Sequence, residues 1–297
     1  MNIAILGAGA IGSLLAGLLQ QHGHQINLIT RSPHPCHINI RHLDGTAHDY
    51  PVKVNQPLLR CEMLIVCVKA FQVESALSAL SNTLPITTPI VLCHNGMGTA
   101  SNITKGFPNN PILFASTSLA ARRLSLGHIK HTGWGETYIG ALTDAHPSPD
   151  VITSIFSSAM KHCLWDDNIA MRRWQKLAIN CAINPLTAIN GIRNGDLEQP
   201  QYQRQLLVIC EEVSQVMAAE GYSCSPTALF NKVKQVILAT ADNFSSMYQD
   251  IHHQRCSEID YISGYVIKRA QAHHISVPEN EQLWLKIKQR EQNYDHN

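Results

Sequence analysis

The chain has 297 residues, long enough for two domains with substantial cores. Charged residues make up 15% of it and the formal net charge is +1, so no charge field marks it for nucleic acid or a membrane surface. Nine cysteines, an odd number without C-x-x-C spacing and several in apolar runs (Cys67, Cys93, Cys181), point to reduced, buried thiols of a cytoplasmic protein and not to a disulfide framework.

The apolar opening Ile3-Ala4-Ile5-Leu6 is too short to span a bilayer and lacks the basic flank and cleavage pattern of a signal peptide. Residues 2–6 read as a buried strand running into Gly7-Ala8-Gly9-Ala10-Ile11-Gly12. A helix follows, with Ile11, Leu14, Leu15, Leu18 and Leu19 at core spacing and its end at Gly23, and residues 25–30 read as a second strand. Strand, G-x-G-x-x-G, helix and strand in this order is the context a dinucleotide-binding loop needs. Gly7 permits the tight turn, Gly9 lets the backbone approach a pyrophosphate, and Gly12 lets helix and strand pack closely. The pyrophosphate would rest on the helix N-terminus, whose free N–H groups and dipole favour an anion.

The end of the second strand selects between the nicotinamide cofactors. An acid there would bind a ribose 2′-hydroxyl; this chain has Thr30-Arg31-Ser32, and a guanidinium suits a 2′-phosphate, which favours NADPH.

Residues 36–55 read as irregular, with room for a hairpin, and carry no motif whose chemistry can be read. A buried strand is expected over 62–68, ending at Lys69, then a helix over 71–84 and a strand over 89–93 ending in His94-Asn95-Gly96-Met97-Gly98. Lys69 and Asn95 therefore fall at the carboxyl ends of parallel strands, where such sheets bind ligands. Alternation over 111–140 predicts antiparallel strands closing the sheet, with Ala120-Ala121-Arg122-Arg123 between them. Residues 144–149 read as a turn and 150–162 as the last helix of a first domain, residues 1–166.

Residues 167–297 read as an all-helical second domain. Its first helix places Trp174, Leu177, Ala178, Cys181 and Ala182 on an apolar face, and Lys176, Asn180 and Asn184 four residues apart on another. Because the neighbouring faces are apolar, this stripe should be partly buried, and a buried lysine is costly without a partner or a task. Asn184 precedes Pro185, where the helix should bend or end. Further helices are expected at 203–220, 226–241, 257–274 and 279–293, with Asn243-Phe-Ser-Ser-Met-Tyr-Gln-Asp250 between two of them. Ser257-Glu-Ile-Asp260 reads as a capping box, with Ser257 the N-cap and Glu258 in the first turn. The sixteen histidines include the pairs His252/His253 and His273/His274, but not in H-x-x-x-H spacing beside a carboxylate, so no metal site is expected.

As a set, these motifs resemble the ketopantoate reductase (2-dehydropantoate 2-reductase) family nearly end to end. The likeness is carried by the Gly7 to Gly12 loop, Val68-Lys69-Ala70, His94-Asn95-Gly96-Met97-Gly98 and Lys176-Leu-Ala-Ile-Asn180-Cys-Ala-Ile-Asn184-Pro-Leu-Thr-Ala188. Ser245-Ser246-Met-Tyr-Gln-Asp250 and Glu258-Ile-Asp-Tyr-Ile262 extend it. The resemblance implies an NADPH-binding Rossmann domain, a helical domain, and an active site in the cleft between them. It implies cofactor contacts from Gly7, Ala8, Gly9, Ala10, Ile11, Gly12, Arg31, Lys69 and Ala121, with Asn95 and Glu258 facing cofactor and substrate. Lys176 would be the general acid and Glu258 the second catalytic residue, and Asn180, Asn184, Asn194, Asn243 and Ser246 would hold the substrate. The activity implied is NADPH-dependent reduction of 2-dehydropantoate to pantoate, in pantothenate and coenzyme A biosynthesis, by a monomer or homodimer. A related reductase of another 2-oxo acid and a non-catalytic NADP(H)-sensing protein are the competing readings; an intact Lys176, Asn180, Asn184 and Glu258 argue against the sensor.

Overall fold

The structure is a computed structural model that describes residues 1–296. Two compact units are present: one comprises Met1–His94 and Thr99–Ala170, the other Asn95–Gly98 and the chain from Met171 onward. The change of unit thus falls between Ala170 and Met171, and the short loop Asn95–Gly98, which follows the strand Ile90–Leu92, belongs with the helical unit.

The first unit begins β1 (Asn2–Leu6), α1 (Ala10–Gln21), β2 (Gln25–Ile29), β3 (His37–Arg41), β4 (Ala47–Pro51), β5 (Lys53–Val54) and β6 (Met63–Val66). It continues with α2 (Ala70–Ser78), β7 (Ile90–Leu92), α3 (Ala100–Gly106), β8 (Ile112–Thr117), β9 (Ala120–Ser125), β10 (His128–Gly133), β11 (Thr137–Ala141), α4 (Pro149–Ala159) and β12 (Cys163–Trp165). The main sheet has the order β12-β11-β8-β7-β6-β1-β2-β5. Strands β1, β2, β5, β6, β7 and β8 run parallel and β11 antiparallel to β8. The central strands are apolar on both faces, as expected where helices cover the two sides of a parallel sheet.

Residues 36–55 are a true hairpin, β3 with β4, followed by the short edge strand β5. Strands β9 and β10 do not close the main sheet as expected; they join this hairpin in a separate sheet of order β4-β3-β10-β9. The reason is α1, which is apolar nearly all round: one side covers the main sheet, the other receives Ile38, Ile40, Tyr50 and Ile129. Gly17 makes that approach possible, because a Cβ there would collide with Ile40 and Tyr50. The opposite face of the main sheet packs Leu64, Val66 and Leu92 against Val73 and Leu77 of α2 and Ile103 of α3.

The second unit contains α5 (Ile169–Asn190), whose first two residues lie with the first unit, a 3-10 turn Asn194–Glu198, α6 (Pro200–Ala219), α7 (Pro226–Ala239) and α8 (Ser246–His252). A 3-10 turn Ile259–Tyr261, α9 (Ser263–Ala272) and α10 (Pro278–Gln292) follow. The core gathers on the apolar face of α5, where Trp174, Leu177, Ala178, Cys181 and Ala182 meet Leu206, Ile209, Val213 and Val266. Helix α5 neither ends nor breaks at Pro185 but runs through it to Asn190. Side-chain donors supplement the backbone around the proline: the Thr187 hydroxyl donates to Ile183 O at 2.8 Å, and Asn190 Nδ2 donates to Leu186 O at 2.8 Å. At the end of the helix Arg290 donates to the carbonyls of Ala188 (2.9 Å) and Ile189 (2.6 Å), placing a cation where the last carbonyls lack partners.

The expected capping box at Ser257 does not form. Ser257 Oγ accepts weakly from Ile259 N at 3.3 Å, while Asp260 is drawn away to Trp284 Nε1 (2.7 Å) and Lys288 Nζ (2.9 Å). A 3-10 turn occupies the segment, and the α-helix begins only at Ser263. Among the described residues no helix is long and apolar enough to cross a membrane. Cysteines 61, 93, 163, 181 and 210 are buried as expected, but Cys67 and Cys224 are only half-buried and Cys36 and Cys256 are exposed.

Candidate functional site

In the first unit the parallel order brings the ends of β1, β2 and β6 to one edge of the sheet. β1 leads into Gly7, β2 into Thr30-Arg31-Ser32 and β6 into Lys69, the residue before α2. The chain passes from β1 to β2 on one side and then returns to β6 on the other, so β1 and β6 flank the point where strand order reverses, the crevice that binds ligands in such sheets.

The glycines of the loop differ in what a side chain would meet. Gly7 sits at φ +106°, and a Cβ there would press Val68 Cγ1 at 2.7 Å. A Cβ on Gly12 would collide with the Gly7 carbonyl oxygen and reach Cys67 Cβ at 3.0 Å. Gly9, the residue before α1, meets nothing nearer than Cys67 O at 4.0 Å. Two glycines therefore let the loop close on the strand ends, and the third leaves an open backbone face at the helix N-terminus, a cradle that fits a pyrophosphate. No acid stands in the first turn of α1 to oppose an anion. Beneath the loop the free Cys67 thiol is hydrogen-bonded to the Cys93 thiol, and that hydrogen bond together with burial raises its pKa well above the ordinary value, so it is a neutral packing group. Ala8 and Ile11 pack partly on the core, and Ala121 lies on β9, which packs against α1.

In the second unit Lys176 and Asn180 are half-buried and Asn184 is buried, so the stripe on α5 passes from partial exposure into the core along its length. Arg173, one turn before Lys176, is buried as well; desolvation pulls its guanidinium down to about 10, with Tyr265 and Tyr222 opposing the shift. The loop Asn95–Gly98 is bound to the segment that carries Glu258. Asn95 Nδ2 donates to Glu258 Oε2 at 3.1 Å and Met97 N donates to Tyr261 O at 2.8 Å. Gly96, at φ +78°, could not bear a side chain without striking Tyr261, and Gly98, at φ +109°, faces the Tyr265 ring. The two sequence motifs are thus one structural piece, and Glu258 itself is buried.

Other expected residues are distributed differently. Ser246 is exposed at the start of α8, whereas its neighbour Ser245 is buried and caps that helix, accepting from Tyr248 N at 3.0 Å. Thr187 Oγ1 and Ser245 Oγ share a hydrogen bond of 2.8 Å, which fixes the start of α8 beside the Asn184 turn of α5. Asn194 and Asn243 are joined by a backbone bond of 2.9 Å, but the Asn194 amide is buried and donates to Thr240 Oγ1 at 2.8 Å. Its visible role is to hold the 3-10 turn against the end of α7, while Asn243 is exposed. The sequence motifs include Thr187 and Ser245 without giving either a role, and Asn55 lies outside them. Asn55 carried one usable signal, an asparagine directly after a short strand, a residue type that tolerates left-handed backbone.

The first unit is a Rossmann-type arrangement: a parallel sheet with a glycine loop at its first strand–helix turn, here followed by a helical unit. The chain belongs to the ketopantoate reductase family: residues 3–144 match "Ketopantoate reductase PanE/ApbA" and residues 168–291 match "Ketopantoate reductase PanE/ApbA C terminal". It is 40% identical to a 2-dehydropantoate 2-reductase of Vibrio cholerae, over 99% of each chain. Among solved structures it is similar to a PanE/ApbA family ketopantoate reductase from Ralstonia eutropha (25% identity, TM-score 0.89, all of both chains). It shares the fold of a D-mandelate dehydrogenase solved with NADH and anilino(oxo)acetate (23% identity, TM-score 0.90, 99% of this chain and 100% of that one).

Proposed function

We propose that the chain is an NADPH-dependent 2-dehydropantoate 2-reductase. The observation that carries this reading is the α5 stripe: an amine half-buried on a helix face, followed by two amides one and two turns on, the second of them buried. Near-full-length relatives that bear the name 2-dehydropantoate 2-reductase support the substrate. The open backbone at Gly9 and the arginine that follows β2 support the cofactor, whose chemistry is to supply a hydride to the carbonyl carbon.

Lys176 donates a hydrogen bond to the substrate carbonyl oxygen, polarises it, and protonates the alkoxide as it develops. Asn180 and Asn184 hold further substrate oxygens without adding charge. Glu258 accepts from the Asn95 amide, which fixes the orientation of that side chain and turns its carbonyl oxygen to the opposite side. Ala8, Gly9, Ala10, Ile11 and Gly12 would offer backbone N–H groups to the pyrophosphate, while Gly7, whose own N–H donates to Ile29 O at 3.0 Å, would shape the turn; Lys69 and Ala121 would flank the cofactor, and Arg31 would pair with the 2′-phosphate. Asn194, Asn243 and Ser246 serve the substrate loop, Asn194 by shaping it.

The test is oxidation of NADPH, followed at its nicotinamide absorbance, with 2-dehydropantoate and with a panel of aliphatic and aromatic 2-oxo acids. The highest kcat/KM is expected with 2-dehydropantoate. Turnover favouring another 2-oxo acid would move the chain to the related-reductase reading, and binding of NADPH without turnover of any would make it a sensor.

A further inference from the structure

The turn that carries Arg31 is held by a residue far along the chain. Edge strand β5 pairs with β2 at Asn27↔Lys53 and Leu28↔Val54, and Asn55 N continues the ladder by donating to Leu28 O at 2.9 Å. The backbone then leaves the sheet, since Asn55 lies at φ +51°. Its side chain takes over where the main chain departs: Asn55 Oδ1 accepts from Thr30 N at 2.8 Å, and Asn55 Nδ2 donates to Thr30 O at 3.1 Å. One carboxamide thus pairs with both backbone groups of Thr30, as a peptide group in a further strand residue would. A reciprocal clamp lies beside it, with Asn27 Nδ2 donating to Gln56 O at 2.9 Å and Gln56 N donating to Asn27 Oδ1 at 3.0 Å. The Thr30 hydroxyl donates to Ser32 O at 2.8 Å, which closes the turn around Arg31.

We propose that Asn55 is a specificity-determining positioning residue, whose carboxamide fixes the Thr30-Arg31-Ser32 turn and so aims Arg31 at the 2′-phosphate of the cofactor. The inference rests on the reading of Arg31 given above. Arginine is long and exposed here, with much rotamer freedom to lose, so its contribution to an anion depends on how firmly its own backbone is held. Asparagine suits the position on two counts. Its side chain is both donor and acceptor in a planar unit, which Asp and Ser are not, and it tolerates left-handed φ better than a branched residue.

The experiment measures calorimetric affinities of the full-length protein for 2′,5′-ADP and for 5′-ADP, which lacks the 2′-phosphate. Arg31→Ala should weaken 2′,5′-ADP about tenfold or more and leave 5′-ADP nearly unchanged. Asn55→Gly keeps the left-handed backbone and removes the amide; it should weaken 2′,5′-ADP about three- to tenfold, again sparing 5′-ADP. Asn55→Ser should behave alike, and guards against a folding failure in the glycine variant. In the Arg31→Ala background Asn55→Gly should cost nothing further for 2′,5′-ADP. Equal losses for both nucleotides, or an additive loss in the double variant, would make Asn55 a structural residue only and overturn the proposal. An unchanged 2′,5′-ADP affinity in Asn55→Gly beside a clear loss in Arg31→Ala would overturn it while leaving Arg31 in place. No selective loss in Arg31→Ala would remove the reading of Arg31 itself.

Discussion

In the first unit the candidate site is made by leaving side chains out, and in the second by putting polar ones in. Gly7 and Gly12 cannot bear a Cβ, and Gly9 leaves an open face at the start of α1; what remains is backbone N–H and a helix dipole. On α5 the working groups are an amine and two amides, and their setting is a buried apolar face on either side. A site built from backbone is fixed by the fold and tolerates change only where space exists. A site built from side chains sits on a helix that survives the loss of any one of them. The two regions should therefore fail differently when altered.

The largest effect is expected at Lys176. Lys176→Met keeps the bulk of the stem and removes the proton donor, so kcat should fall about a hundredfold to ten-thousandfold while the protein stays folded and NADPH still binds. Steady-state kinetics and a fluorescence titration of the cofactor check both halves, and a near-normal kcat in a folded variant would take Lys176 out of the mechanism. Asn180→Ala should cost less, because it removes orientation and not the proton.

The glycine loop should show the reverse, with the fold affected first. Gly12→Ala forces a methyl onto the Gly7 carbonyl and should destabilise the first unit by about 1–3 kcal/mol in denaturant unfolding. Gly9→Ala places its methyl in open space, so stability should hold while NADPH affinity drops. If the two variants lose stability equally, the distinction between a packing glycine and a ligand-facing glycine fails.

How much of this could be read from the chain follows the same division. The glycine loop, the parallel strands after it and the apolar face of α5 are local patterns, and each is where periodicity placed it. The stripe was legible because three polar residues recur at helical spacing among apolar ones. What escaped depends on distant partners. Strands β9 and β10 carry ordinary alternation, and nothing local says that they pair with β3 over α1 and not with the main sheet. Pro185 signals a helix end, but Thr187, Asn190 and Arg290 support the helix beyond it. Asp260 has the spacing of a capping box, yet Trp284 and Lys288, brought in by α10, claim it first.

Arg290 offers a smaller test of whether the second site depends on its scaffold. It spans from α10 to the last carbonyls of α5, so Arg290→Met leaves those acceptors to water or to nothing. A loss of about 1–2 kcal/mol is expected, together with faster amide exchange in the last turn of α5 and little change at the turn that carries Lys176. Loss of protection along the whole helix would mean that the stripe is less independent than the comparison holds.

The smallest effect is expected at Glu220, which tests whether charge networks of the second unit add stability at neutral pH. Its Oε1 accepts from Arg269 Nε (2.8 Å) and Nη2 (2.6 Å), and His273 Nε2 lies 2.5 Å away. Burial pushes the Glu220 carboxyl up, but the bonds to Arg269 and His273 outweigh it and hold the group below its ordinary value of 4.5. A carboxyl held down in the folded state adds stability above its unfolded pKa, and that contribution is lost as pH falls through the folded one. The Arg269 side chain is 34% exposed, so solvent screening keeps the contribution near 0.5–1 kcal/mol. Glu220→Gln should therefore lower the urea midpoint slightly at pH 7, and the gap to the unaltered protein should narrow as the pH is taken below 4.5. A gap of the same size at pH 3 and pH 7 would mean that Glu220 acts through shape and neutral hydrogen bonding and not through its charge.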